Sequence, residues 1–161
     1  KFSEFAKVPE IRPSRANLAN ILEQNVRSIQ NSFDQAEFRL TTPEQIEGLY
    51  VMVDTALFRQ VLLNLVKNGV EANPGRKTRF DIVVSKQNDF VSVSVMNDGV
   101  PVQASLAVRI FDPYVSSKTG KDNMGLGLAI VKKIMIEHGG EISYQVQNGH
   151  PKFELTLKRE N

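Results

Sequence analysis

The 161-residue sequence predicts a two-layer α/β sandwich, with three main helices on one face of a mixed, mostly antiparallel sheet. Three observations carry this expectation. Apolar residues recur at helical spacing in three separate stretches. Short segments of alternating apolar and polar residues lie between those stretches in pairs. Turn chemistry, namely Pro43, Asn73-Pro74-Gly75, Gly139-Gly140 and Asn148-Gly149, stands at the boundaries. The order is helix, hairpin, helix, hairpin, loop, helix, hairpin, with no internal repeat.

Taken in order, Lys1 to Pro13 is an apolar and basic lead containing Pro9 and Pro13. It reads as the tail of a preceding helix followed by an extended linker, which leaves 14–161 as the folded domain. Without an initiator Met or a signal-peptide pattern, it is expected to continue from a longer chain. Between Asn17 and Phe33, Leu18, Ile21, Leu22, Val26, Ile29 and Phe33 form one apolar stripe, hence a helix. Ala36 to Thr41 and Leu49 to Val53 have strand character and are expected to pair as a hairpin across the turn at Pro43.

Asp54 precedes Leu57, Phe58, Val61, Leu62, Leu65 and Val66, so it is the expected N-cap of a second helix that stops near Ala72. Arg79 to Lys86 and Phe90 to Met96 alternate around Gln87-Asn88-Asp89 and predict a hairpin with one buried face. Asn97 to Met124 has little periodicity. Its polar part, Ser116 to Asn123, is a candidate lid. A third helix is expected from Leu126 to His138, with His138 a structural residue at a helix end that favours a cation. Glu141 to Gln147 and Lys152 to Lys158 then flank an Asn-Gly turn, near which His150 reads as an ordinary turn residue.

Composition narrows the function. Apolar residues make up 41% and charged residues 24%, as in an average soluble domain, and no apolar run approaches the length of a membrane span. A net charge of +2, spread along the chain, disfavours nucleic acid as a partner. The absence of Cys excludes disulfides, thiolate metal sites and a Cys nucleophile, and is compatible with a reducing cytoplasm. With two His, any metal must be held by oxygen ligands, several of which a nucleotide would bring.

Two signals point to a nucleotide. Asn64 and Asn68 stand four residues apart on the second helix, so their carboxamide oxygens share one face and can approach a hard cation such as Mg²⁺. Gly125, Leu126, Gly127 and Leu128 open the third helix, where glycine permits close backbone approach and free N–H groups suit phosphate. Lys118 and Lys121 can add charge from the lid or be solvated loop lysines. Phe111 and Tyr114 read as apolar anchors for it.

In this order the motifs resemble the ATP-binding catalytic domain of sensor histidine kinases, within the superfamily that includes gyrase, heat-shock chaperone and mismatch-repair ATPases. Phe58 to Ala72 is similar to that family's N box, Asn97 to Pro101 to its first glycine box, Ile110 to Tyr114 to its F box, and Gly125 to Ile130 to its second glycine box. Phe2-Ser3-Glu4-Phe5-Ala6-Lys7 and the Phe-Asp-Pro-Tyr-Val stretch are most similar to the nitrogen-regulation branch. The resemblance implies the histidine kinase ATPase fold, ATP and Mg²⁺ as ligands, and contacts from Asn64 and Asn68 to metal and phosphates, with Lys67 nearby. It further implies γ-phosphoryl transfer to a His on a dimerisation helix outside this chain, a response-regulator partner, a monomeric fragment and a cytoplasmic location. In hydrolysing relatives the position of Asn64 is a Glu that activates water. An amide has no such basicity, so the site suits storing ATP for an acceptor side chain.

The first glycine box departs from the common Asp-x-Gly-x-Gly pattern. Aligned on Gly99, the adenine-contacting Asp falls on Asn97 and the second Gly on Pro101, with Asp98 adjacent as the competing contact. The rival readings are a serine-phosphorylating anti-sigma-factor kinase of the same fold and a degenerate nucleotide-sensing domain.

Overall fold

The computed structural model describes residues 10–42, 48–113 and 127–160. The helical tail expected before Pro9, the whole candidate lid Ser116 to Asn123 with Lys118 and Lys121, Tyr114, Gly125 and Leu126 lie outside the described residues.

Helix α1, Leu18–Ser32, begins at Asn17, whose side chain accepts the Asn20 N–H at 3.1 Å. The helix ends at Phe33, whose N–H still reaches the carbonyls of Ile29 and Gln30. Its buried stripe is Leu18, Ile21, Leu22, Asn25 and Ile29. Helix α2, Thr55–Ala72, is capped by Asp54, which accepts the Leu57 N–H at 3.1 Å, and buries Leu57, Phe58, Val61, Leu62, Leu65, Val66 and Gly69. Each large apolar side chain so buried contributes about 1.5–3 kcal/mol. Helix α3, Ala104–Ala107, is a single turn in the segment where no helix was expected. Helix α4, Gly127–Glu137, buries Ala129, Val131, Ile134 and Met135 and is followed by Gly139 at φ 70°, the left-handed residue that commonly ends a helix.

The strands are β1 Ser14–Asn17, β2 Ala36–Thr41, β3 Tyr50–Val53, β4 Thr78–Gln87, β5 Phe90–Asn97, β6 Glu141–Gln147 and β7 His150–Glu160. They form a seven-stranded sheet in the order β1-β3-β7-β5-β4-β2, with β6 also paired to β7. Every pairing is antiparallel except β2 with β4. Val91, Val93 and Val95 of β5 alternate toward the core with Phe80, Ile82 and Val84 of β4 and Phe153, Leu155 and Leu157 of β7, and join the helix stripes in one cluster.

The expected pairing of Ala36 to Thr41 with Leu49 to Val53 is wrong. β2 instead runs parallel to β4, Ala36 opposite Thr78 through Thr41 opposite Val83, while β3 pairs with β1 and β7. Side chains explain the preference. Phe38 stacks on Phe80 with ring centroids 5.4 Å apart, and Glu37 faces Lys77 at 3.6 Å, contacts that belong to the β2–β4 pairing. Ser14–Asn17, to which the sequence pattern assigns no element, is an edge strand paired with β3. The two later hairpins formed as expected, the last through Asn148 and Gly149 at φ 53° and 79°.

His138 joins two helices. Its Nε2 accepts the Asp54 N–H at 2.9 Å while its Nδ1 lies 2.8 Å from the Ile134 carbonyl, a pair of contacts that requires the Nδ1–H tautomer. His138 is thus the structural residue expected at this helix end, a bridge between the end of α4 and the start of α2.

Asp54 is held below the usual carboxylate range, foremost by the backbone N–H of Arg12, against the effect of burial, and further by the N–H groups of Leu57 and Ala56. A carboxyl depressed in the folded state stabilises above its unfolded pKa and loses that stabilisation as pH falls through the folded one. Asp54→Ala should therefore cost about 1–2 kcal/mol at pH 7. The deficit should shrink below about pH 4. Urea unfolding at both pH values checks this; equal deficits at pH 7 and pH 3 would refute it.

Candidate functional site

Helix α2 is the spine of the site. Asn64 and Asn68 lie one turn apart, both half-buried, and Gly69 and Asn73 continue along the helix. At 1.5 Å per residue, Asn64 and Asn73 stand about 13 Å apart along the axis. At the upper end, Asn64 Oδ1 lies 3.9 Å from where a Cβ on Gly127 would stand, so the start of α4 adjoins the Asn64 carboxamide. Gly127 is exposed and Leu128 is half-buried against the core.

At the lower end the helix comes down on the sheet. A Cβ on Gly69 would lie 2.8 Å from the Phe80 ring and 3.0 Å from Asn97 Nδ2, closer than a side chain tolerates, so glycine permits this approach. Asn97 ends β5 and is buried, 7% exposed, and its Oδ1 accepts the Gly99 N–H at 2.9 Å. Asp98 is committed to the other side. Its Oδ1 accepts the Arg79 N–H at 2.9 Å and faces Arg76 at 3.3 Å, and its carbonyl accepts from Arg76 at 2.9 Å. Consecutive residues at a strand end point to opposite faces, which separates the two.

The loop that follows is pinned by residues that sequence reading passed over. Asn73 is buried; its Nδ2 donates to the Gly69 carbonyl at 2.8 Å and its Oδ1 accepts the Val100 N–H at 3.3 Å. Its side chain occupies the space where a Cβ on Gly99 would go. His150 is half-buried, with Nδ1 2.9 Å from the Gly99 carbonyl, so the ordinary turn residue is a second clamp. Asn73 was legible only as a helix stop before Pro74-Gly75, and His150 carried no local signal. Tyr144 accepts the Val102 N–H at 3.1 Å, and burial raises its phenol pKa despite that bond, so it stays protonated.

Lys67 is exposed and faces Glu71 at 4.0 Å, one turn further along the helix. Phe111 packs edge-on against Phe153 with centroids 6.3 Å apart, under Lys132 at 5.4 Å. Among the described residues no group of three or more His, Cys, Asp or Glu is placed to hold a metal, and no helix is long and apolar enough to cross a membrane.

The family described as histidine kinase-, DNA gyrase B-, and HSP90-like ATPase matches residues 53–161. Relatives include the C4-dicarboxylate transport sensor protein DctS of Rhodobacter capsulatus, 36% identical over 75% of this chain and 19% of that protein. The sensory histidine kinase/phosphatase NtrB of Rhodobacter capsulatus is 35% identical over 65% of this chain and 32% of its own length. Among solved structures, the nucleotide-free catalytic domain of the histidine kinase ThkA superposes with a TM-score of 0.79 at 29% identity, covering 92% of this chain and 97% of that one. The chain thus spans about a fifth to a third of these curated relatives but nearly all of the ThkA domain. With the family model matching residues 53–161, this chain belongs to the histidine kinase-, DNA gyrase B- and HSP90-like ATPase family.

Proposed function

We propose that this chain is the catalytic part of a two-component sensor histidine kinase, binding Mg·ATP along α2 and presenting the γ-phosphoryl to a histidine on dimerisation helices outside the chain. The observation that carries this reading is the line of α2 residues with Asn64 beside Gly127 at one end and Gly69 and Asn73 against Asn97 and Gly99 at the other.

In this reading the base lies at the Asn97 end and the phosphates at the Gly127 end. Asn64 and Asn68 turn carboxamide oxygens to the Mg²⁺ that arrives with ATP, which also brings phosphate oxygens and waters, so neutral ligands suffice. The motif Gly125 to Leu128 is assigned to the phosphates, and the positive end of α4 at Gly127 favours them. Lys67 and Lys118 add charge nearby. With Asn rather than a carboxylate at position 64, no side chain there takes a proton from water, and catalysis rests on positioning and charge neutralisation. The acceptor of the second transfer is a response regulator. The fragment acts as a monomer on the cytoplasmic side, since dimerisation and signal input belong to other segments of the full-length kinase.

Asn97 is favoured over Asp98 for the base contact, because the Asp98 carboxylate already serves Arg79 and Arg76 while Asn97 is turned toward Gly69. Calorimetry should detect ADP binding to the chain, strengthened by Mg²⁺. Asn97→Leu should weaken that binding at least tenfold, the loss of about one hydrogen bond at 1.4 kcal/mol per decade. Asp98→Ala, checked by thermal unfolding, should retain it; the reverse pattern would move the base contact to Asp98, and no binding by the unaltered chain would end the reading.

Asn68→Ala in the full-length kinase should lower autophosphorylation at least a hundredfold with the fold intact, because a metal contact is lost while the buried stripe is untouched. Radiolabelled phosphate incorporation beside a circular dichroism melt checks this. Normal incorporation would remove Asn68 from the metal.

A further inference from the structure

Backbone N–H groups at the end of β5 are matched one by one. Those of Asp98 and Gly99 go to the Arg79 carbonyl at 3.1 Å and to Asn97 Oδ1 at 2.9 Å; that of Val100 goes to Asn73 Oδ1 at 3.3 Å and that of Val102 to the Tyr144 hydroxyl at 3.1 Å. Pro101, between the last two, has no N–H to place. The peptide group that joins Gly99 to Val100 is gripped from both sides. It is trans, so its C=O and N–H point in opposite directions. The carbonyl lies 2.9 Å from His150 Nδ1, which must carry the proton because a carbonyl only accepts. Asn73 cannot exchange its oxygen for its nitrogen, since Nδ2 is donated to the Gly69 carbonyl at 2.8 Å. Turned over, the peptide would face its carbonyl to the Asn73 oxygen and its N–H to the His150 donor, two repulsive contacts.

We propose that His150 is a positioning residue of the nucleotide site: with Asn73 it sets the Gly99–Val100 peptide, and through Gly99 it holds the Asn97 carboxamide in the direction from which it meets the base. The inference rests on the reading of Asn97 as the base contact. Glycine leaves the chain at 99 free to rotate unless a group outside the loop holds it. Asn97 Oδ1 takes its hydrogen bond from that same glycine, so a loop that rotates also releases the buried carboxamide. Asn73 ends the helix that carries Asn64 and Asn68, and His150, 51 positions from Gly99, supplies the opposing hold from the start of β7. A loop ordered in advance binds with its full intrinsic affinity, whereas one that is competent for part of the time binds more weakly by that fraction. The effect belongs to the base end, because about 13 Å of helix separates Asn73 from Asn64.

Calorimetry of Mg·ADP binding to the 161-residue chain, with thermal unfolding to confirm that each variant is folded, tests this. His150→Ala removes the donor and should raise the ADP Kd at least about fivefold. His150→Asn, whose Nδ2 can stand where Nδ1 stood, should return the Kd to within about twofold of the unaltered chain. Should His150→Ala fail to fold, His150→Leu fills the space without a donor, and the same rise is expected. In the full-length kinase the donor-free variant should raise the KM for ATP and leave kcat for autophosphorylation within about twofold. An unchanged ADP Kd in a folded donor-free variant overturns the inference, as does an Asn variant that binds as weakly as the Ala one. A kcat that falls as far as KM rises, or that falls with KM unchanged, overturns it too. Each of these results leaves the nucleotide site standing. Failure of the unaltered chain to bind ADP overturns the site reading and this inference together.

Discussion

The close approach of α2 to the sheet at Gly69 is the constraint on which the rest of the structure depends. Leu62, Leu65 and Val66 on the helix and Phe80, Val93 and Val95 on the strands supply the apolar burial that draws the layers together. The absence of a Cβ at position 69 decides how near they come, because the Phe80 ring and the Asn97 amide already occupy the space. That separation places the end of β5 beside the same helix that carries Asn64 and Asn68. A larger residue at 69 would push the helix away and separate the two ends of the site, whatever the local propensities of either.

The second determinant is the direction each side chain takes at the end of β5. Asn97 and Asp98 are neighbours of similar shape, yet one is buried against α2 and the other is spent on Arg76 and Arg79. The Arg76–Asp98 pair is partly exposed and adds little stability by itself. It fixes orientation instead, together with the Arg79 N–H. Asn73 from the end of α2 and His150 from the start of β7 then hold the next two residues. Further along, Tyr144 takes Val102, and Phe111 rests on Phe153.

Helix content was legible because apolar stripes and caps are local. Asn17 and Asp54 act as caps in the structure, and the buried sides of α1, α2 and α4 are those the periodicity marked. Strand existence was legible as well, from alternation. Strand partnership was not: Ala36–Thr41 and Tyr50–Val53 are consecutive in sequence, but β2 found β4, where Phe38 meets Phe80, and β3 found β1 and β7. Nothing in a strand's own alternation names its neighbour, and the four residues of β1 are too few to show alternation against a linker that ends in Pro13.

The sequence by itself determined the three main helices, the Asp54 cap, six of the seven strands, the Asn-Gly turn and the motif order, and placed Asn64 and Asn68 on one helix face, because each rests on residues within a few positions of one another. Tertiary structure alone decided the rest. It set the single parallel pairing, the neutral His138 bridge between α4 and α2, the assignment of Asp98 to the arginines, and the clamp of Asn73 and His150 on Gly99. These contacts join groups that are mostly between 19 and 84 positions apart. The physical reason is that a hydrogen bond or ring contact depends on distance in space, and only the packing of α2 on the sheet brings those groups within reach.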